Sequence, residues 1–204
     1  QYIGKTDFNF EESGMDYAVL SGHKIGAMVG SGCIIAKDPS TLSNFIFGGG
    51  QEKGKRGGTQ NYMGAETLAV ALDAFEKSKE HFFKLKDYRL NFEANIKKAH
   101  PSAVIIGEES PRLATTTLIS LPGLHGQAVQ IELEAEDIFV TTSSACSDNE
   151  PETSKVLRSM GIDDTVGRGV VRISLCCNST EEDYKKIEKT LSDIYSKLTK
   201  IASY

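Results

Sequence analysis

The sequence predicts an α/β chain: the end of one sheet domain, a linking helix, and a C-terminal α+β domain. Three observations carry this. Two short apolar runs near the N-terminus flank a polar, glycine-containing loop. From about Asn61, apolar residues recur at helical spacing. From Val104 onward, short apolar runs alternate with helical patterns. The parts are placed at residues 1–60, 61–80 and 81–204.

Tyr17-Ala18-Val19-Leu20 reads as a strand ending in the polar loop Ser21-Gly22-His23-Lys24, and Cys33-Ile34-Ile35-Ala36 as a second strand. Residues 47–59 hold too many glycines for any regular element, and they are basic. In the linking helix, Ala65, Leu68, Ala69, Leu72 and Phe75 share one face. The charged stretch Glu76–Lys98 continues as helix after a bend or break near its start, and His100-Pro101 ends it. Strands are predicted at Val104–Ile106, Thr116–Leu121, Ile138–Val140 and Val170–Leu175. Helices are predicted at Gln127–Leu133 and Ser154–Met160, the latter stopped by Gly161. Thr141–Glu152 is polar and reads as a loop. Ser179 and Glu182 have capping-box spacing. They open a final helix whose stripe is Tyr184, Ile187, Leu191, Ile194, Leu198 and Ile201.

Composition excludes several classes. With 39% hydrophobic and 25% charged residues the 204-residue chain is an ordinary globular one. A net charge of -5 disfavours nucleic-acid binding, and no apolar run approaches the roughly 20 residues that span a bilayer. QYIGKTDFNF has no signal-peptide core. Cys33, Cys146, Cys176 and Cys177 fit neither a zinc knuckle nor a CxxC redox pair, so free thiols in a cytoplasmic setting are expected. No histidines have metal-ligand spacing, and no metal site is expected. The abrupt polar start before a strand and a chemically loaded loop suggests that residues preceding Gln1 are missing.

Two segments carry chemistry. Lys24, beside Ser21 and His23 at a strand end, is placed to meet a ligand; a desolvated amine forms a Schiff base with an aldehyde. A solvated surface lysine fits the same residues. Cys146 lies in TTSSACSDNEPE, polar on both sides, unlike the apolar setting of a buried cysteine. An exposed thiol there suits sulfur relay, or is an incidental surface group. Asp148 and Glu150 would raise rather than lower its pKa if close.

Four segments in order then point to a family. Asp16–Gly32, with Ser21-Gly22-His23-Lys24, resembles the cofactor-lysine segment of the cysteine desulfurases, fold-type I pyridoxal 5'-phosphate enzymes of the class V aminotransferase group. Gly48-Gly49-Gly50-Gln51-Glu52 with Arg56-Gly57-Gly58-Thr59 and Asn61 resembles the family's GGGQE…R-x-GT-x-N segment. Ser143-Ser144-Ala145-Cys146, Glu150-Pro151 and Val156–Gly161 resemble its cysteine loop. Val171-Arg172-Ile173-Ser174-Leu175 resembles its V/I-R-x-S-L strand.

The resemblance covers the family's C-terminal half. It implies the end of a large, aspartate-aminotransferase-like cofactor domain plus the small α+β domain carrying the cysteine loop. By the same resemblance Lys24 carries pyridoxal phosphate and shuttles protons, and Ser21 and His23 hold its phosphate. Gln1 bonds its phenolic oxygen, and Thr59 reaches the phosphate of a second subunit in a homodimer with a shared site. Arg172 pairs with the carboxylate of L-cysteine. Cys146 attacks the substrate sulfur, giving alanine and a persulfide for a sulfur acceptor or scaffold protein in iron–sulfur cluster assembly or thiolation.

Two departures stand out: Ser143 replaces a frequent glycine, and Cys176-Cys177-Asn178 replaces a glycine and often an arginine. The aromatic ring that stacks on the cofactor, the aspartate at its pyridine nitrogen and much of the phosphate cup belong to the family's N-terminal half. This chain alone is therefore expected neither to hold the cofactor well nor to turn over. The alternatives are a class V aminotransferase or selenocysteine lyase, and a non-catalytic dimerisation or scaffold-binding module.

Overall fold

The computed structural model describes residues 2–142 and 153–202. Contacts divide the chain into two compact units, Gln1–Glu80 and His81–Tyr204.

In the first unit β1 (Tyr17–Ser21) and β2 (Gly32–Ala36) form an antiparallel pair. The register places Tyr17, Val19, Ile34 and Ala36 on one face and Ala18, Leu20, Cys33 and Ile35 on the other. The first face is open: Val19 is 76% and Ile34 59% exposed. Only Leu20 of this sheet is buried. The glycine-rich segment is more ordered than its composition suggests. A 3-10 turn spans Gln51–Gly54, with Glu52 and Lys53 in left-handed conformation. Ile46 pairs with Arg56 in a parallel bridge, and Gly57 N–H donates to Ile46 O at 2.7 Å. A side chain at Gly57 would meet Gly48 Cα at 2.9 Å, so this crossing admits only glycine.

The linking helix is longer than predicted. Helix α1 (Tyr62–Ala99) runs without the expected break near Glu76. No glycine or proline lies between Ala65 and Ala99, and Ser78 Oγ donates back to Ala74 O at 2.9 Å without ending the helix. The apolar face read from Ala65 to Phe75 is not a core face within this unit: Ala65, Ala69 and Leu72 are exposed, Leu68 and Phe75 half-buried.

The second unit has a three-stranded antiparallel sheet, β3 (Val104–Ile105), β4 (Thr116–Ser120) and β5 (Val170–Ser174), with β4 central. Ile105, Thr117, Ile119, Val171 and Ile173 share one face, and all are buried. They lie on the side of α1, whose Glu93 accepts a hydrogen bond from Thr117 Oγ1 at 2.6 Å. Phe82, Leu85, Arg89, Phe92 and Ile96 form the buried stripe of α1 here, stepping by three and four. The last helix, α5 (Glu181–Ala202), packs beside it through Tyr88–Tyr184 and Phe92–Tyr184 ring contacts. A second cluster packs on the opposite sheet face. There Val170, with Val104 and Leu118, packs on Leu157, Ile162 and Val166 from α3 (Lys155–Ser159), α4 (Asp164–Gly167) and their connection.

Helix α2 (Gly126–Glu134) has the predicted position, but no strand follows it. Asp137 adopts φ 58°, and Ile138 N–H donates to Leu133 O at 2.9 Å. The N–H expected in a ladder instead caps α2. Pairing begins only at Thr141, which bridges to Arg172. The short α4 escaped sequence analysis. The cap of α5 lies one residue later than predicted: Thr180 N–H donates to Asp183 Oδ2 at 2.7 Å, and Asp183 N–H to Thr180 Oγ1 at 3.4 Å. Ser179 Oγ instead accepts from Cys176 N–H at 3.2 Å. Of the α5 stripe, Ile201 is exposed, while Tyr195, outside the stripe, is wholly buried.

Candidate active site

β1 delivers Ser21 to its end, where the chain turns into a single 3-10 turn, Gly22–Ile25. Gly22 is buried beneath this turn. Its N–H donates to Ser31 O at 2.9 Å, and a Cβ would collide with Ser31 Oγ and lie 3.2 Å from Ala27 Cβ. Packing the glycine inward leaves Ser21, His23 and Lys24 outward and exposed. Among the described residues no acidic side chain pairs with Lys24 and no hydrogen bond holds its amine, so the group is free to engage a ligand.

The loop after Lys24 is anchored to the start of α1. Met28 N–H donates to Thr67 Oγ1 at 3.2 Å, and Gly64 lies so close to Ser31 that a side chain there would meet Ser31 Cβ at 2.9 Å. Asn61 caps the helix, its Oδ1 accepting from Gly64 N–H at 2.9 Å. Thr59 is exposed just before this cap, with its carbonyl held by Arg56 Nη1 at 2.9 Å. Asn61 was legible as a helix start; the Met28–Thr67 and Ser31–Gly64 contacts were not, because they join residues far apart in sequence.

In the second unit Arg172 lies on β5, on the sheet face opposite the core. It is half-buried, and its Nε is fully buried with no hydrogen-bond partner among the described residues. A buried donor without a partner is costly. A carboxylate is the complementary group, since a guanidinium offers it two parallel hydrogen bonds. Thr141 brackets the Arg172 backbone: Arg172 N–H donates to Thr141 O at 2.6 Å, and Thr141 N–H to Arg172 O at 3.4 Å. Sequence analysis missed Thr141, reading it as part of a polar loop. Cys146 and Gln1 lie outside the described residues. In the first unit, an amine with a hydroxyl and an imidazole beside it suits a phosphorylated aldehyde cofactor; in the second, a guanidinium whose Nε has no partner among the described residues suits a carboxylate.

Residues 1–187 match the class-V aminotransferase family, and the chain belongs to it. It is 30% identical, over its whole length, to cysteine desulfurase 2 of Trichormus variabilis, covering 51% of that protein. It is 32% identical to the cysteine desulfurase IscS of Clostridium botulinum over 95% of this chain and 50% of the relative. Among solved structures, a NifS-like protein from Rickettsia africae superposes with a TM-score of 0.82 at 30% identity, over 95% of this chain and 51% of that one. The chain thus spans about half the length of the curated relatives it matches. The mixed α/β architecture agrees with the fold expected from its sequence.

Proposed function

We propose that this chain forms the C-terminal half of a cysteine desulfurase that removes sulfur from L-cysteine, releases L-alanine and holds the sulfur as a persulfide on Cys146. The reading is supported by one observation: the family match runs over residues 1–187, a range that includes every residue assigned a role. We take residues 1–60 as the end of the cofactor domain, 61–80 as linker and 81–204 as the small domain.

Bound pyridoxal phosphate would supply an electron sink for the substrate's carbon skeleton. The chain's own residues do the rest. Lys24 Nζ would hold the cofactor through its aldehyde and would move protons at the substrate carbons. Ser21 Oγ and the His23 ring would hold the phosphate, and Gln1 the phenolic oxygen. Thr59 reaches the phosphate of a second copy, so each site draws on two chains. Arg172 grips the substrate carboxylate and fixes its orientation. The Cys146 thiolate attacks the substrate sulfur; the carbon–sulfur bond breaks, and the persulfide passes to an acceptor or scaffold protein. Thr141, which brackets Arg172, is five positions before Cys146, so the nucleophile's segment departs from beside the carboxylate grip.

The test is borohydride reduction of the full-length protein loaded with pyridoxal phosphate, followed by peptide mass spectrometry. Reduced cofactor on Lys24 is expected, with Cys146→Ala retaining that adduct but losing persulfide and alanine formation. An adduct elsewhere sinks the assignment of Lys24. Undiminished cysteine turnover in Cys146→Ala sinks desulfuration and favours an aminotransferase.

A further inference from the structure

Past β5 the chain makes a tight turn, Cys176–Ser179, closed by Ser179 N–H donating to Cys176 O at 3.1 Å. The turn is tied down at both ends. Leu175 N–H donates to Thr115 O at 3.0 Å, extending the sheet to the turn's first residue. On the far side His81 Nε2 lies 3.0 Å from Ser179 O, and the Thr180–Asp183 cap follows at once. Two adjacent thiols, Cys176 and Cys177, sit exposed on this fixed frame. The Cys176 thiol is not idle: it donates to Asn178 Oδ1 at 2.7 Å and lies 3.6 Å from Ser179 Oγ. Cys33 differs. Although the residue is exposed, partial desolvation of its thiol raises the pKa, which disfavours the reactive thiolate.

We propose that Cys176 and Cys177 form a reversible redox modification site, which closes into a vicinal disulfide by exchange with a small disulfide of the oxidised-glutathione class. The Cys177 thiolate attacks the small disulfide, forming a mixed disulfide and expelling one thiolate. Cys176 Sγ, released from Asn178 and deprotonated, attacks the Cys177 sulfur, forming the Cys176–Cys177 bond and expelling the second thiolate. The two expelled thiolates take up the two protons lost by the cysteines. Two thiols are oxidised and one small disulfide is reduced.

Adjacency makes the second step fast and the product labile. The resolving thiol is one residue from the mixed disulfide, so its effective concentration far exceeds that of any free thiol. Neighbouring Cα atoms are only about 3.8 Å apart across a trans peptide, short of the roughly 4.4–6.8 Å that unstrained disulfides span. A strained, exposed disulfide is the readily reduced kind. Ring closure removes the Cys176–Asn178 bond from the turn that joins the Arg172 strand to α5. The site is independent of the activity proposed above.

The test treats the native protein with oxidised glutathione, quenches it with acid and N-ethylmaleimide, and maps the digest by tandem mass spectrometry. The peptide holding Cys176 and Cys177 is expected to lose two hydrogens and carry no maleimide. Excess reduced glutathione should return it to the doubly labelled form. Cys176→Ser, a change at an exposed turn position that removes the resolving thiol, should stop at a glutathione adduct on Cys177. A glutathione adduct that persists on either thiol of the wild-type protein, full maleimide labelling of both, or a disulfide joining either one to Cys33 or Cys146 overturns the proposal.

Discussion

Arg172 shows what one residue reveals and conceals in a sequence. Its place in Val-Arg-Ile-Ser-Leu was visible, and so was the role that the family resemblance gives it. Its buried, unpartnered Nε and its pairing with Thr141 were not, because both depend on chain segments about thirty residues apart. A guanidinium that holds a carboxylate through two hydrogen bonds is poorly replaced by an ammonium. Arg172→Lys is therefore expected to raise KM for cysteine at least about tenfold, matching a loss of about 1.5–3 kcal/mol for charged hydrogen bonds. Steady-state kinetics with the full-length protein would check this; an unchanged KM would move the carboxylate contact elsewhere.

Elements were read best where their signals are local. The stripe of α5 and the two short strands around the glycine-containing loop follow from local pattern alone, and the α5 cap was missed by one residue because Ser179 and Thr180 offer the same hydroxyl. Thr180→Ala is expected to cost about 1 kcal/mol in a urea melt, while Ser179→Ala, which leaves the cap intact, should cost less. The charged half of α1 was harder. Within it Glu93 is buried and accepts from Arg89 Nη1 at 2.8 Å, from Arg112 at 2.7 and 2.9 Å, and from Thr117 Oγ1 at 2.6 Å. Nothing near Glu93 in the sequence announces Arg112 or Thr117, so its place in the core was not visible there. Burial pushes the Glu93 carboxyl up, but the hydrogen bonds from Arg112, Thr117 and Arg89 outweigh it, and the pKa lies below its ordinary value of 4.5. Its contribution to stability is accordingly complete above the unfolded-state pKa and is lost as pH falls through the lower, folded one. Glu93→Gln should destabilise by about 3 kcal/mol at neutral pH, since it leaves two buried guanidinium groups without a counter-charge. The variant should also lose less stability than wild type on acidification below pH 4.5; parallel losses in urea titrations across that range would contradict the linkage.

At the scale of the molecule, core is unevenly shared. Leu20 and Ala27 are the buried hydrophobic residues of 1–80 among those described, whereas the second unit buries a continuous set from Phe82 to Tyr195. A fragment spanning 81–204 should therefore unfold cooperatively in urea, while 1–80 alone should bind a hydrophobic dye and melt without a transition. A fragment 1–80 with a sharp transition would show that the hairpin and helix suffice by themselves. The change of pattern from glycine-rich to periodic was visible in the sequence. The exposure of Ala65, Ala69 and Leu72 was not, because a helical stripe says only that a face seeks cover, never which partner gives it.

The β1–β2 pair carries a further cost. A sheet of two strands is all edge: among the described residues each strand is laddered on one side only. Such a pair is marginal alone in water. Phe45 and Phe47, 88% and 83% exposed, lie in the segment that follows it. The stretch that presents Lys24 thus also offers open strand edges, a ready template for pairing with another chain.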